Sequence, residues 1–302
     1  MVEGQHSLSL RKFVIGLAVF LGALIVTSAL LSPPVAWLVE LIAPDRWPFK
    51  RIFNRVLMVS AVVFLIPLLR YYGAISWRMI GIYFQTRWWR WVLLGWLVGV
   101  FHVFCLGSLH LGFGAREWNW ELTAEKAFGY LLAGVLVGVI EECIFRGGLC
   151  LSLRRMRKPL LVGVVLIGSA FFALAHFPSA RALSGEIHWL SGWQMWQDLL
   201  LQFLDPKEVV QRLIGLWLVG ICLCVAALRT GTLWFAIGLH AGWVFGIKSV
   251  NRMSDATEQA GSVWWGGHPL DGITAWLSLF LLLRLLWKFL PESKESNVEA
   301  NP

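Results

Sequence analysis

The sequence predicts an all-α integral membrane protein, a bundle of about eight transmembrane helices. Of its 302 residues, 58% are hydrophobic and only 15% are charged, and several apolar runs are long enough to cross a bilayer. This composition excludes an ordinary soluble domain. The formal charge of +8 does not indicate a nucleic-acid partner, because the basic residues lie between the apolar runs, as the positive-inside rule predicts.

Eight apolar runs are predicted to span the membrane. The first follows Arg11 and Lys12 and is expected to end at Pro33 and Pro34, without the cleavage site of a signal peptide. The segment 71–90 mixes arginines with aromatic residues, which is typical of an interfacial helix. The eight predicted spans cover about residues 13–31, 52–69, 91–111, 128–151, 159–177, 209–228, 233–247 and 272–290.

The distribution of lysine and arginine predicts the orientation of the spans. The basic connections are residues 70–90, 152–158 and 229, and the strongest basic cluster is Arg154, Arg155, Arg157 and Lys158. The other connections, 112–127, 178–208 and 248–271, carry more acidic residues. We therefore expect a multi-pass protein of the cell membrane with both termini in the cytoplasm.

Three charged residues lie in the apolar fourth span, which reads GYLLAGVLVGVIEECIFRGG over residues 129–148. A charge near the bilayer centre costs on the order of 3 kcal/mol or more, so Glu141, Glu142 and Arg146 are expected to face the protein interior. Glu142 and Arg146 are four residues apart and should form an ion pair. Glu141 points elsewhere and has no cation nearby in the sequence, which suits a general base or acid. The alternative is a buried ion pair that only fixes helix packing.

Two histidines lie in other apolar spans, His176 in the fifth and His240 in the seventh. A lone histidine in a membrane helix often serves only as a hydrogen-bonding group between helices. At 1.5 Å per residue, Glu141, His176 and His240 lie roughly 20, 27 and 16 Å from the basic ends of their spans. These depths are compatible with one buried site, and a carboxylate with two imidazoles predicts hydrolytic chemistry.

The order and spacing of these residues resemble the CPBP family, the CAAX-protease and bacteriocin-processing proteins, also called the ABI family. This family includes the type II CAAX prenyl endopeptidases. The resemblance covers about residues 128–247 and rests on three motifs on separate spans: Glu141-Glu142-x-x-x-Arg146, Phe172-x-x-x-His176 and His240. It implies an eight-helix intramembrane glutamic endopeptidase.

The resemblance also implies a role for each motif residue. Glu141 would activate the attacking water, with His176 assisting. His240 would help to bind the oxyanion. Glu142 and Arg146 would support the site, which agrees with the ion pair that their spacing predicts.

One position departs from the family pattern. The family's third motif is usually His-x-x-x-Asn, and the residue four positions after His240 is Val244. Valine cannot donate a hydrogen bond, so the departure puts the completeness of the oxyanion hole in doubt. Phe172 and Val244 are expected to line the site.

We expect one structural domain in which residues 1–127 are N-terminal helices, 128–247 the CAAX-protease-like core and 248–302 the last loop, span and tail. The expected partners are membrane lipid and a protein or peptide substrate, lipid-modified or not, and no cofactor. One alternative is a zinc metalloprotease in which Glu141, His176 and His240 are the ligands. The other is a transporter or scaffold in which the buried charges mark a solute path or an interface.

Overall fold

The computed structural model describes residues 10–44, 46–73, 76–154, 158–176, 186–202 and 206–292. Of the predicted basic cluster, Arg155 and Arg157 lie outside these ranges, and so does the tail beyond residue 292. All seven residues predicted for the site lie within them.

Helices make up nearly all of the regular structure in the described ranges. The nine α-helices are α1 (Leu10–Ile42), α2 (Phe49–Tyr72), α3 (Trp88–Gly112), α4 (Ala124–Glu142), α5 (Lys158–His176), α6 (Ser191–Gln202), α7 (Pro206–Thr230), α8 (Trp234–Met253) and α9 (Gly272–Phe289). Seven of the described helices are long and apolar enough to cross a membrane, namely α1 to α5, α7 and α9. The predicted fold class, an all-α membrane protein, is therefore confirmed.

The chain forms two compact units. The first comprises Met1–Ile75 and Phe177–Val209, and the second comprises Ser76–His176 and Val210–Pro302. The first unit contains α1, α2 and α6. The second contains α3, α4, α5, α8, α9 and nearly all of α7, and it carries every residue predicted for the site.

Helix α1 does not end at Pro33 and Pro34, and the prediction that these prolines stop the first span is wrong. The helix continues through both to Ile42. An internal proline leaves the carbonyl four residues earlier without its helical hydrogen bond. For Pro33 this is the carbonyl group of Ala29. Gly192 of α6 lies so close to it that a Cβ added at Gly192 would be 2.1 Å from the carbonyl oxygen. Helix α6 therefore packs closely against the stretch of α1 that the proline makes irregular.

Two loop predictions also differ from the structure. Residues 76–87 form turns and extended backbone rather than an interfacial helix. Gly81 adopts φ +81°, which favours glycine, and its carbonyl accepts a hydrogen bond from Leu233 N at 3.1 Å. Helix α6 lies inside the segment 178–208, where a polar connection is predicted.

Helix α8 lies at the centre of the second unit, between α3 and α4. Its first ten residues, Trp234–Trp243, are all buried. A Cβ at Gly238 would lie 2.0 Å from the carbonyl oxygen of Val92 in α3, and one at Gly134 of α4 would lie 2.7 Å from that of Ala241. Glycines thus let the three backbones approach closely, as is common between membrane helices.

A small antiparallel sheet joins the ends of α3 and α8. Strand β1 (Arg116–Trp118) pairs with β2 (Ser254–Ala256). The buried Arg116 donates from Nε to Ser254 Oγ at 2.8 Å and from Nη2 to Ser254 O at 2.7 Å. Burial lowers the pKa of Arg116, and the Asp255 carboxylate partly offsets this effect.

Candidate active site

The backbone changes its helical form where the predicted carboxylates lie. Helix α4 ends at Glu142 and is followed by a six-residue π-helix, Cys143–Gly148, and a short 3₁₀ turn, Leu151–Leu153. Wide π-turns inside helices are frequent at functional sites. Here the π-helix carries Arg146 and places its side chain in the interior, fully buried like that of Glu142.

Arg146 connects four helical segments through its guanidinium group. Nη1 donates to Glu142 Oε1 at 3.0 Å, and Nη2 donates to the carbonyl oxygen of Gly220 in α7 at 3.4 Å. The guanidinium carbon lies 4.2 Å from the ring centre of Phe172 in α5. The predicted pair between Glu142 and Arg146 therefore forms and is completely buried.

His240 of α8 bonds to the same carboxylate oxygen. Its Nδ1 lies 2.8 Å from Glu142 Oε1. A carboxylate that is paired with Arg146 only accepts hydrogen bonds. His240 therefore carries a proton on Nδ1 and donates a hydrogen bond to Glu142. The second ring nitrogen, Nε2, is then directed at Glu141 and lies 3.7 Å from its Oε2.

Glu141 and His176 form the second polar pair of the site. His176 Nδ1 lies 2.8 Å from the carbonyl oxygen of Phe172, and Nε2 lies 2.6 Å from Glu141 Oε2. A carbonyl oxygen only accepts, so Nδ1 carries a proton. The short contact between Nε2 and Oε2 needs one further proton, which sits on either group. The pair therefore stores a proton between an imidazole and a carboxylate.

The two pairs differ in the exposure of their side chains. The side chains of Glu141 and His176 are 21% and 25% exposed, whereas those of Glu142 and Arg146 are 0% and 1% exposed. A reactant can thus reach the Glu141–His176 pair. The Glu142–Arg146 pair lies behind it, with Glu142 Oε2 and Arg146 Nε buried and unpartnered.

The same three residues could hold a metal ion. One oxygen of Glu141 and one nitrogen each of His176 and His240 all lie within 4.8 Å of one another. The other ring nitrogen of each histidine is bonded to the Phe172 carbonyl or to Glu142. Such outer bonds usually orient histidines that bind zinc, so the donor set and its surroundings fit this metal.

A separate series of hydrogen bonds connects α8 to its neighbouring helices beside the site. Trp243, three residues after His240 and almost fully buried, donates from Nε1 to His102 Nδ1 in α3 at 3.1 Å. His102 Nε2 in turn lies 3.0 Å from the hydroxyl of Ser278 in α9. The chain links α8 to two neighbours and limits its rotation.

The structure brings six of the predicted site residues into direct contact and leaves one at the edge. The six are Glu141, Glu142, Arg146, Phe172, His176 and His240. Val244 is half-buried one helical turn after His240 and offers no polar atom. Sequence reasoning missed the Gly220 carbonyl, because a backbone group 74 residues from Arg146 has no side-chain signature.

Residues 122–246 match the family model described as type II CAAX prenyl endopeptidase Rce1-like, and every predicted site residue lies in this range. The predicted resemblance is therefore confirmed. No curated protein and no solved structure gives a significant match.

The buried ion pair generates a stability prediction. Arg146→Met leaves Glu142 as a buried charge with only a histidine partner, so the free energy of unfolding should fall by about 3–5 kcal/mol. The double variant Glu142→Gln/Arg146→Met removes both charges and should recover part of this loss. Thermal melting in detergent measures both effects. A melting temperature of Arg146→Met equal to wild type would contradict the buried pair.

Proposed function

We propose that this membrane protein is an intramembrane glutamic endopeptidase, since residues 122–246 match the model of the Rce1-like type II CAAX prenyl endopeptidases. The observation that supports the glutamic mechanism is the 2.6 Å contact between Glu141 Oε2 and His176 Nε2. It gives a partly exposed carboxylate a partner that can take up and return a proton. An ionisable side chain inside a membrane-spanning helix usually serves function.

In the proposed first step, Glu141 acts as the general base. The proton shared with His176 resides on the imidazole, so Glu141 is ionised and its second oxygen accepts a proton from water. The water oxygen attacks the scissile carbonyl carbon, whose π electrons move onto the carbonyl oxygen. When this tetrahedral intermediate collapses, the C–N bond breaks and the Glu141–His176 pair returns a proton to the leaving amine.

His240 has the position of an oxyanion donor, and the structure adds a condition to this role. Its Nδ1 proton is committed to Glu142, so Nε2 can donate to an oxyanion only when the ring carries both protons. Two carboxylates face the ring, Glu142 at 2.8 Å from Nδ1 and Glu141 at 3.7 Å from Nε2. Glu142 and Arg146 thus act through His240 and do not touch the substrate.

The proposed substrate is a protein or peptide held at the membrane. The family description indicates a prenylated protein as the first substrate to test. The proposed reaction needs no cofactor. The protein is multi-pass, and we propose that it resides in the cell membrane with both termini cytoplasmic, because this places the basic loops inside.

Zinc catalysis is a second candidate, favoured by the arrangement of Glu141, His176 and His240 described above. In that case both Nε2 atoms and the Glu141 carboxylate would hold the ion, which would supply a polarised water and a Lewis acid. The two candidates require different protonation of the histidines. A metal ion needs both Nε2 atoms unprotonated, whereas the glutamic mechanism needs protons on them.

Glu141→Gln should lower peptide cleavage by about 10²–10⁴-fold, because an amide cannot accept the water proton. The control is Glu125→Gln, which alters an exposed carboxylate in the first turn of the same helix and should leave cleavage unchanged. The assay uses purified protein with a farnesylated peptide and its unmodified counterpart. Full activity of Glu141→Gln would rule out the glutamic mechanism, and faster cleavage of the unmodified peptide would rule out prenyl recognition.

Dialysis against a strong chelator should leave the activity unchanged if Glu141 alone activates water. A zinc enzyme would lose activity and recover it on addition of Zn²⁺. The metal content of the purified protein, measured by mass spectrometry, is the second readout. Recovery that depends on Zn²⁺ would replace the glutamic mechanism with the metal-dependent one.

His240→Ala should reduce the cleavage rate by about 10²–10³-fold, the usual effect of removing one oxyanion donor. Val244→Ala should have a much smaller effect because only an apolar contact is removed. Val244→Asn restores the family's usual residue and should leave the rate unchanged or raise it. Rates of all three variants are compared on one substrate. An equal loss for the two alanine variants would contradict the oxyanion role.

The proposed orientation is tested with single cysteines on either side of α3. Gln85→Cys and Glu117→Cys place exposed thiols before and after this span, in a background without the five native cysteines. A membrane-impermeant thiol reagent should reach Glu117→Cys from outside intact cells. It should reach Gln85→Cys only after the cells are opened. The reverse pattern would invert the orientation.

A further inference from the structure

The first unit contains a cavity that the proposed reaction does not use. It lies between α1 and α2, has a volume of about 230 Å³, and is lined by apolar side chains and the ring of Tyr71. From Gly16 to Ala23 in α1 it extends over seven residues, or about 10 Å along the helix. This is a slot within one leaflet of the membrane.

The sequence explains why the two helices leave a gap here. Ala23 provides little side-chain volume on the α1 side, whereas the space beside Gly16 is taken by the ring of Tyr72. On the α2 side, Pro67 lies inside the helix, where proline removes a backbone hydrogen bond and bends the helix axis. One end of the gap is closed because Tyr72 donates its hydroxyl proton to the carbonyl oxygen of Phe13 at 2.8 Å.

The closed end of the slot is positively charged. Arg11 and Lys12 begin α1, and Arg70 lies in the last turn of α2. The Lys12 ammonium group lies 5.1 Å from the ring centre of Tyr71, which itself lines the cavity.

We propose that this slot binds one acyl chain of an anionic glycerophospholipid, with the phosphate group held at Arg11, Lys12 and Arg70. The apolar slot removes the chain from its neighbours in the bilayer and accepts any lipid tail of suitable length. The selectivity for a negative headgroup comes from the three cations at the adjoining ends of α1 and α2. The site is independent of the catalytic residues and of the proposed reaction.

The experiment measures lipid retention by the full-length protein in detergent with native mass spectrometry. The protein is equilibrated with equal amounts of dioleoyl phosphatidylglycerol and dioleoyl phosphatidylcholine. Wild type should retain phosphatidylglycerol preferentially. Lys12→Gln should weaken this retention about five-fold, equivalent to the ~1 kcal/mol that one basic residue contributes near a membrane surface. Lys50→Gln, at the opposite end of α2, should have no effect.

Ala23→Phe fills the slot and should abolish retention of the acyl chain. Its control is Ala18→Phe, which adds the same ring to an exposed position of α1 and should retain the lipid. If Ala23→Phe does not fold, Val19→Trp is used in its place. It enlarges another side chain that lines the slot and should likewise prevent retention of the acyl chain.

Four results would overturn the proposal. Equal retention of the two lipids, or no effect of Lys12→Gln, would show that the headgroup charge is not recognised. Unchanged retention in the slot-filling variants would place the lipid elsewhere. Displacement of phosphatidylglycerol by a stoichiometric amount of farnesylated peptide would make the slot a site for the isoprenoid group.

Discussion

The second unit depends on one carboxylate oxygen, Glu142 Oε1, which accepts hydrogen bonds from both Arg146 and His240. Glu142 is 0% exposed, so its charge can be tolerated only while these donors remain in place. The two donors come from the π-helix and from α8, and Arg146 continues to α7 and to the ring of Phe172. A single buried carboxylate of α4 is thus connected, directly or through Arg146, to four other helical segments.

Helices in a bilayer gain little from hydrophobic burial against one another, because lipid tails are as apolar as leucine. The second unit replaces that driving force with close backbone contact and buried polar bonds. Glycines bring α8 against α3 and α4, and the polar bonds of His240 and Trp243 orient it. Helix α8 can therefore be central to the site although it is not one of the seven strongly apolar helices.

The same bonds determine the protonation of the two histidines. Each donates from Nδ1 to an acceptor outside the reacting centre, Phe172 O for His176 and Glu142 for His240, and each directs Nε2 at Glu141. An imidazole held in this way can store a proton or bind a cation, depending on whether Nε2 is protonated. The arrangement explains why glutamic and zinc mechanisms compete for one set of residues.

The sequence by itself determined the membrane class, the family resemblance and the Glu142–Arg146 pair, because hydropathy, motif order and a four-residue spacing are local properties. It did not predict the helical course of α1 through Pro33, where α6 packs closely against Ala29 from a distant part of the sequence. It could not predict which atoms meet in the site either. The bonds of Glu141 with His176 and of Glu142 with His240 join residues 35 and 98 positions apart. Only the tertiary structure sets these contacts, because a hydrogen bond depends on side-chain direction to within a fraction of an ångström, which helix depth alone does not specify.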